Sequence, residues 1–162
     1  MYRNLEEYKK ICLPRKNAYY AGLIQNLLFG SEGVCIFVLQ LKYQISILEN
    51  FYSDISKTLN EIKEVEEVHE KFLSHAVIMT GGDPMLCTSQ NKWISGRNID
   101  YVKEIKQILS LNLEIKEKTL LDLKSAFLKI ENIEIKNLLK ILIDDEQITI
   151  KKLKSLLSSF ST

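Results

Sequence analysis

The chain has 162 residues, which is enough for one domain or at most two small ones. Charged residues make up 27% of it and hydrophobic residues 46%, a globular composition that excludes a disordered or fibrous chain. Because 22 basic residues face 21 acidic ones, neither nucleic acid nor an anionic membrane is an expected partner. With only 6 glycines and 2 prolines, the composition disfavours a turn-rich β fold and favours long helices.

The cysteines and the start of the chain bear on its compartment. Cys12, Cys35 and Cys87 are widely spaced and form no CxxC pair, which argues against a disulfide framework and against a thiolate metal site. The first residues contain no apolar core of signal-peptide length, and the most apolar run, residues 33–41, is too short to cross a bilayer. We therefore expect a cytoplasmic protein that does not insert into a membrane.

Hydrophobic periodicity and turn residues predict four helices within a single domain over residues 1–162. The predicted helices cover about residues 18–49, 54–79, 99–130 and 134–160. The second helix stops at a glycine signal with a proline just beyond it, Gly81-Gly82-Asp83-Pro84. Residues 80–98 are rich in Ser, Gly and Asn and are predicted to be a loop.

The lengths of the connections decide the predicted topology. The first and second helices are joined by a few residues, as are the third and fourth, so each pair should be an antiparallel hairpin. At about 3.3 Å per residue, the 80–98 loop can run back along the whole second helix, which rises about 1.5 Å per residue. The third helix then starts beside the start of the second. The predicted fold is therefore an all-α, ferritin-like four-helix bundle with one long crossover.

Polar residues interrupt the apolar faces of these helices. Glu66 and His69 on the second helix, and Glu146 on the fourth, occupy positions where the helical pattern expects Leu or Ile. On the third helix, whose pattern is noisier, Glu117 shares a face with Leu109, Leu113, Leu120, Lys124 and Leu128. Counted from the turns, all four polar residues lie near mid-helix, so we expect them in one layer of the bundle.

A metal is the simplest explanation for such a layer. Clustered buried carboxylates repel one another unless they are protonated or bound to a cation. Glutamates and Glu-x-x-His motifs on facing helices are also how di-iron and di-manganese bundles hold their metals. The alternative is that Glu66 and Glu117 lie in solvent while His69 makes a core hydrogen bond, because one Glu-x-x-His motif often arises by chance.

Five segments carry a resemblance to a known family: Glu64-Val65-Glu66-Glu67-Val68-His69, Gly81-Gly82-Asp83-Pro84, Trp93-Ile94-Ser95-Gly96, Asn112-Leu113-Glu114-Ile115-Lys116-Glu117-Lys118 and Asp145-Glu146. Through them the chain resembles the rubrerythrin-like and manganese-catalase-like members of the ferritin superfamily, over about residues 17–158. The resemblance implies one Glu on the first helix, Glu-x-x-His on the second, one Glu on the third and Glu-x-x-His on the fourth, with the Glu of each Glu-x-x-His motif bridging two metals.

The chain matches this pattern only in part. The resemblance makes Glu66 and His69 ligands on the second helix and Glu117 a ligand on the third. On the fourth helix Glu146 matches, but Thr149 stands where the second histidine is expected.

The first helix departs from the pattern as well. The resemblance places Val34 at the glutamate position, so the ligand of this helix is missing. Glu32 lies two residues away, about 200° around a helix, and would reach the site only through a π-bulge.

The resemblance therefore implies a degenerate dinuclear site that holds one Fe, Mn or Zn ion or none, and that has little redox activity. Two alternatives stay open: an active di-iron or di-manganese peroxidase or catalase, and a metal-free interaction or structural bundle. The sequence does not decide whether the protein is an enzyme and assigns no catalytic residue. A separate electron donor is implied only for a redox-active protein, and a homodimer is possible because relatives often oligomerise.

Overall fold

The computed structural model describes residues 16–160, and all of its regular elements are helical. Five α-helices follow one another, with a short 3₁₀ turn at Gly96–Asn98: α1 Ala18–Phe29, α2 Val34–Leu48, α3 Ser53–Met79, α4 Ile105–Lys129 and α5 Ile133–Ser158. The described range contains no β-strand, only an isolated bridge between Cys87 and Trp93. The predicted all-α class is confirmed.

The first predicted helix is divided into α1 and α2, which corrects its prediction as one element over residues 18–49. A turn at residues 30–33 separates the two helices. The backbone approaches itself so closely there that a Cβ on Gly33 would lie 2.5 Å from the carbonyl oxygen of Leu28. Glycine permits this approach because it has no Cβ. The apolar pattern continues across the turn, which is why periodicity alone predicts one helix.

The crossover covers residues 80–104, because α4 begins at Ile105 and not near residue 99 as predicted. Gln40 of α2 holds the last part of this connection in an extended conformation. Its side-chain amide donates to the carbonyl oxygen of Asp100 at 2.7 Å, and its side-chain oxygen accepts from the N–H of the same residue at 2.7 Å. Glu104 then caps α4 by accepting hydrogen bonds from two backbone N–H groups of the first turn.

Two apolar clusters fix the topology. The first packs α2, the starts of α3 and α4 and the end of α5: Phe37, Leu41, Leu48, Ile55, Leu59, Ile62, Ile105, Ile108, Leu109 and Leu153. The second packs α1, the start of α2, the ends of α3 and α4 and the start of α5, and includes Ile24, Leu28, Val34, Leu73, Ala76, Leu123, Ala126, Leu139 and Leu142. Because α3 and α4 start in one cluster and end in the other, they run in parallel. The crossover therefore returns along the bundle, which confirms the predicted arrangement of two hairpins.

The stretch that contains α1 and α2, Ala18–Leu48, is long and apolar enough to cross a membrane by composition alone. It is interrupted by the turn at residues 30–33, and 61% of its most apolar 18-residue window is buried inside the bundle. Burial of this kind is typical of the core helix of a globular bundle, whose apolar surface faces other helices.

Candidate metal centre

A polar layer that separates the two apolar clusters contains three candidate metal ligands. Glu66 and His69 lie one turn apart on α3, so they share a face, and Glu146 of α5 faces them. All three side chains are buried, and one potential ligand atom from each lies within 4.8 Å of the others. The structure thus brings together three of the four residues that the sequence singles out.

A buried lysine lies between the two glutamates. Lys116 of α4 is 0% exposed, and its Nζ donates hydrogen bonds to Glu66 Oε1 at 2.7 Å and to Glu146 Oε1 at 3.0 Å. Its ammonium also lies 4.2 Å from the centre of the Phe37 ring, within the range of a cation–π contact. The protein therefore supplies its own cation to the pair of carboxylates.

The structure does not bring Glu117 to this cluster, so its predicted placement is wrong. The side chain of Glu117 is 50% exposed, and its Oε1 pairs with Lys154 Nζ at 2.8 Å on the bundle surface. The cause is an error of one residue in the predicted phase of the third helix, since neighbouring helical residues point about 100° apart. The residues that are buried instead are Ile105, Ile108, Leu109, Asn112, Lys116, Thr119, Leu123 and Ala126, of which only Leu109 belongs to the predicted face.

The predicted face of this helix contains more leucines than the buried one. Leu128, which belongs to the predicted face, is 80% exposed. Sequence reasoning missed Lys116 because a lysine in mid-helix is normally a surface residue. The signal that could have found it is the seven-residue spacing of Ile105, Asn112, Thr119 and Ala126, which outlines the buried face on both sides of Lys116.

The two departures from the dinuclear pattern lie in the core. Val34 belongs to the second apolar cluster, and Thr149 is buried on α5 one turn after Glu146. Glu32 lies in the turn between α1 and α2, with its carboxylate 3.8 Å from Lys118 Nζ and hydrogen-bonded to the adjacent serine hydroxyl. In the structure, Glu32 therefore does not replace the carboxylate that Val34 lacks.

Asp145, the residue before Glu146, also reaches the layer. Its Oδ2 lies 3.2 Å from His69 Nε2, and both side chains are buried. A carboxylate on the far nitrogen of a histidine fixes the ring orientation and its protonation, which is a common arrangement behind metal-binding histidines. The helical pattern of the sequence does not predict this role for Asp145.

The charges of this layer stabilise one another against the cost of burial. Burial opposes ionisation of Glu66, but Lys116 and His69 outweigh it and lower the pKa of Glu66 from 4.5 to about 2. Burial opposes the charged forms of both cations, yet Asp145 and Glu66 raise the pKa of His69 to about 9. In the same way the two glutamates raise the pKa of Lys116 above its usual value. Burial and the negative charge of Glu66 together raise the pKa of Glu146 to about 7.

The donor set suits one metal ion. Two carboxylates and the imidazole of His69, which must release its proton to bind, form a mixed oxygen and nitrogen site of the kind that Mn, Fe and Zn accept. Glu66 Oε2 and Glu146 Oε2 are buried and make no hydrogen bond within residues 16–160, and Glu66 Oε2 lies 3.7 Å from His69 Nδ1, the ring nitrogen that Asp145 does not contact. The other oxygen of each is bonded to Lys116. A metal would therefore compete with a protein cation for the same two glutamates.

Comparison with known proteins identifies the fold. No protein-family model and no curated protein matches the sequence. Among solved structures, the chain is similar to the manganese catalase KatB from Anabaena, with a TM-score of 0.81 and 15% identity over 99% of this chain and 81% of that chain. It is also similar to a Rhodobacter capsulatus bacterioferritin with a metal-free dinuclear site and heme iron, with a TM-score of 0.73 and 18% identity over 91% and 88% of the two chains.

At such identities the similarity concerns the fold and does not extend to activity. The same arrangement follows from the parallel course of α3 and α4 and from the long crossover between them. The chain therefore has the ferritin-like four-helix bundle fold, which confirms at the level of the fold the resemblance inferred from its sequence.

Proposed function

We propose that this protein is a ferritin-fold bundle with an incomplete dinuclear site, which binds at most one metal ion and has little redox activity. The number of ligands carries this proposal. Dinuclear carboxylate bundles use four glutamates and two histidines. Here only Glu66, His69 and Glu146 converge among the described residues, which is half of that set.

The three residues would hold one Fe, Mn or Zn ion through two carboxylates and an imidazole. When bound, any of these ions would supply Lewis-acid chemistry, and Fe or Mn would also supply single-electron chemistry, which Zn does not. His69 is held in place by Asp145. Glu66 lies one turn before it on α3, and Glu146 faces both residues from α5. Peroxidase or catalase chemistry at a metal pair is disfavoured, because Val34 and Thr149 offer no carboxylate or imidazole to a second ion.

A metal-free bundle with a structural or interaction role is the second candidate. It is favoured by Lys116, whose ammonium already balances the two buried glutamates without a metal. A cytoplasmic location and a homodimer remain predictions from the sequence.

Metal content and peroxide turnover test the proposal. The protein is purified without chelator, incubated with Fe(II), Mn(II) or Zn(II), desalted and analysed for metal. We expect no more than one equivalent per chain, and peroxide decomposition no faster than that of the free metal. Glu117→Gln is the matched control and should not alter the metal content, since Glu117 lies on the surface.

Two equivalents per chain, together with rapid peroxide turnover that Glu66→Ala abolishes, would refute the proposal. That result would favour an active dinuclear oxidoreductase instead.

A further inference from the structure

We propose that the Lys116 ammonium is the resident cation of this site and keeps divalent metal ions out of the natural protein. The inference rests on the proposed function and sharpens it, because it makes the metal content of the natural protein zero. It concerns Lys116, which corresponds to none of the metal ligands in the dinuclear pattern.

The contacts of Lys116 place its charge where a metal would bind. Its Nζ lies 2.7 Å from Glu66 Oε1 and 3.0 Å from Glu146 Oε1, so it bridges α3 and α5 from α4. A metal ion binds carboxylate oxygens at about 2.0–2.2 Å. An ion that used both glutamates would therefore lie within a few ångströms of the ammonium, and two cations at that separation repel strongly.

The lysine cannot easily leave this position. It is 0% exposed, and its ammonium packs over the Phe37 ring of α2 at 4.2 Å. One turn earlier on α4, Asn112 makes two hydrogen bonds with Gln44 of α2, at 2.9 and 2.7 Å, and both residues are buried. Movement of Lys116 to solvent would thus require α4 and α2 to separate. It would also leave the glutamates with only His69, whose Nδ1 lies 3.7 Å from Glu66 Oε2 and 4.0 Å from Glu146 Oε1, farther away than the ammonium.

Removal of the lysine charge should therefore expose a metal site. Lys116→Met keeps a long, flexible and apolar side chain but removes the ammonium. Both oxygens of each glutamate then become available beside His69. The expected ligand is a single divalent transition metal, because the remaining groups are two carboxylates and one imidazole.

The experiment compares the metal affinity of three proteins freed of metal by chelator and gel filtration. These are the natural protein, Lys116→Met and the matched control Lys118→Met. Lys118 is two residues away on α4, but it is half exposed and pairs with Glu114 at 2.9 Å on the surface. Zn(II) is titrated by calorimetry, and Co(II) is titrated by visible absorption, which reports directly on coordination.

We expect Lys116→Met to bind one equivalent of Zn(II) or Co(II) at least roughly 100-fold more tightly than the natural protein and Lys118→Met. A folded Lys116→Met that binds Zn(II) or Co(II) no more tightly than the natural protein would overturn the inference. Stoichiometric binding of one ion by the natural protein would also overturn it, yet would leave the proposed function standing. Two ions with peroxide turnover would overturn both.

Loss of folding in Lys116→Met would still give a result. The variant is then refolded with and without Zn(II), and the helix content is measured by far-UV circular dichroism. If the metal takes over the role of the ammonium, Zn(II) should restore the helical signal. Failure of Zn(II) to restore it would count against the inference.

Discussion

The cost of removing the buried ammonium can be predicted from its contacts. In Lys116→Met without metal, Glu66 and Glu146 remain in the core without the cation that bridges them at 2.7 and 3.0 Å. At an effective dielectric constant of about 20, each attraction at this distance is worth roughly 6 kcal/mol. The cost of burying the ammonium offsets a large part of this energy. We expect the free energy of unfolding to fall by about 3–5 kcal/mol, the usual result of breaking a buried ion pair from one side.

Removal of the two glutamate charges as well should restore stability. With Glu66→Gln and Glu146→Gln added to Lys116→Met, the three partners carry no charge and His69 keeps its contact with Asp145, so most of the loss should be recovered. Urea unfolding at pH 7 with chelator, followed by circular dichroism, measures each variant. Glu117→Gln is the control and should cost less than about 1 kcal/mol, because its pair with Lys154 is exposed to solvent. A loss below about 1 kcal/mol for Lys116→Met, or no recovery in the triple variant, would refute the proposed ion cluster.

Two further predictions concern pH and the turn in the first helix. The pKa of Glu66 is lowered to about 2, so its contribution to stability is lost as the pH falls below 4.5. The pKa values of Glu146 and His69 are raised to about 7 and about 9. Their contributions to stability are therefore lost as the pH rises through those values. Urea unfolding at a series of pH values without metal should therefore show maximal stability near pH 5, and a maximum above pH 8 would contradict these charges. In thermal unfolding, Gly33→Ala should lower the free energy of unfolding by about 1–3 kcal/mol, because its Cβ would lie 2.5 Å from a backbone carbonyl oxygen. Gly22→Ala should be neutral or stabilising, because its Cβ would lie 3.5 Å from the nearest side-chain atom. Equal effects of the two substitutions would contradict the close approach at the turn.

The helix that contains Glu66 and His69 was predictable because its hydrophobic pattern is compatible with only one buried face. α3 begins and ends within one residue of its predicted bounds, and both polar residues fall on its apolar face. α5 is similar, with Glu146 at a buried position of a strongly amphipathic helix. On such helices periodicity fixes the buried face, because any rotation would expose a row of aliphatic side chains.

The third helix was not predictable in the same way. Two faces of α4 are nearly equal in apolar character, one with Glu117 and one with Lys116. The choice depends on partners 50 and 30 residues away in the chain, since Lys116 is buried through its bonds to Glu66 and Glu146. The break at residues 30–33 is similar, because the apolar pattern runs through it and only the packed backbone shows the turn.

The sequence by itself therefore determined the helical class, the long crossover and the presence of two carboxylates and a histidine in apolar surfaces. These features follow from local periodicity and from the lengths of connections. Both can be read from the sequence without knowing which helices pack together. Only the tertiary structure decided that Lys116 and not Glu117 enters the polar layer. The physical reason is that burial of a charge is favourable only beside its counter-charges, and those are brought to Lys116 by two other helices.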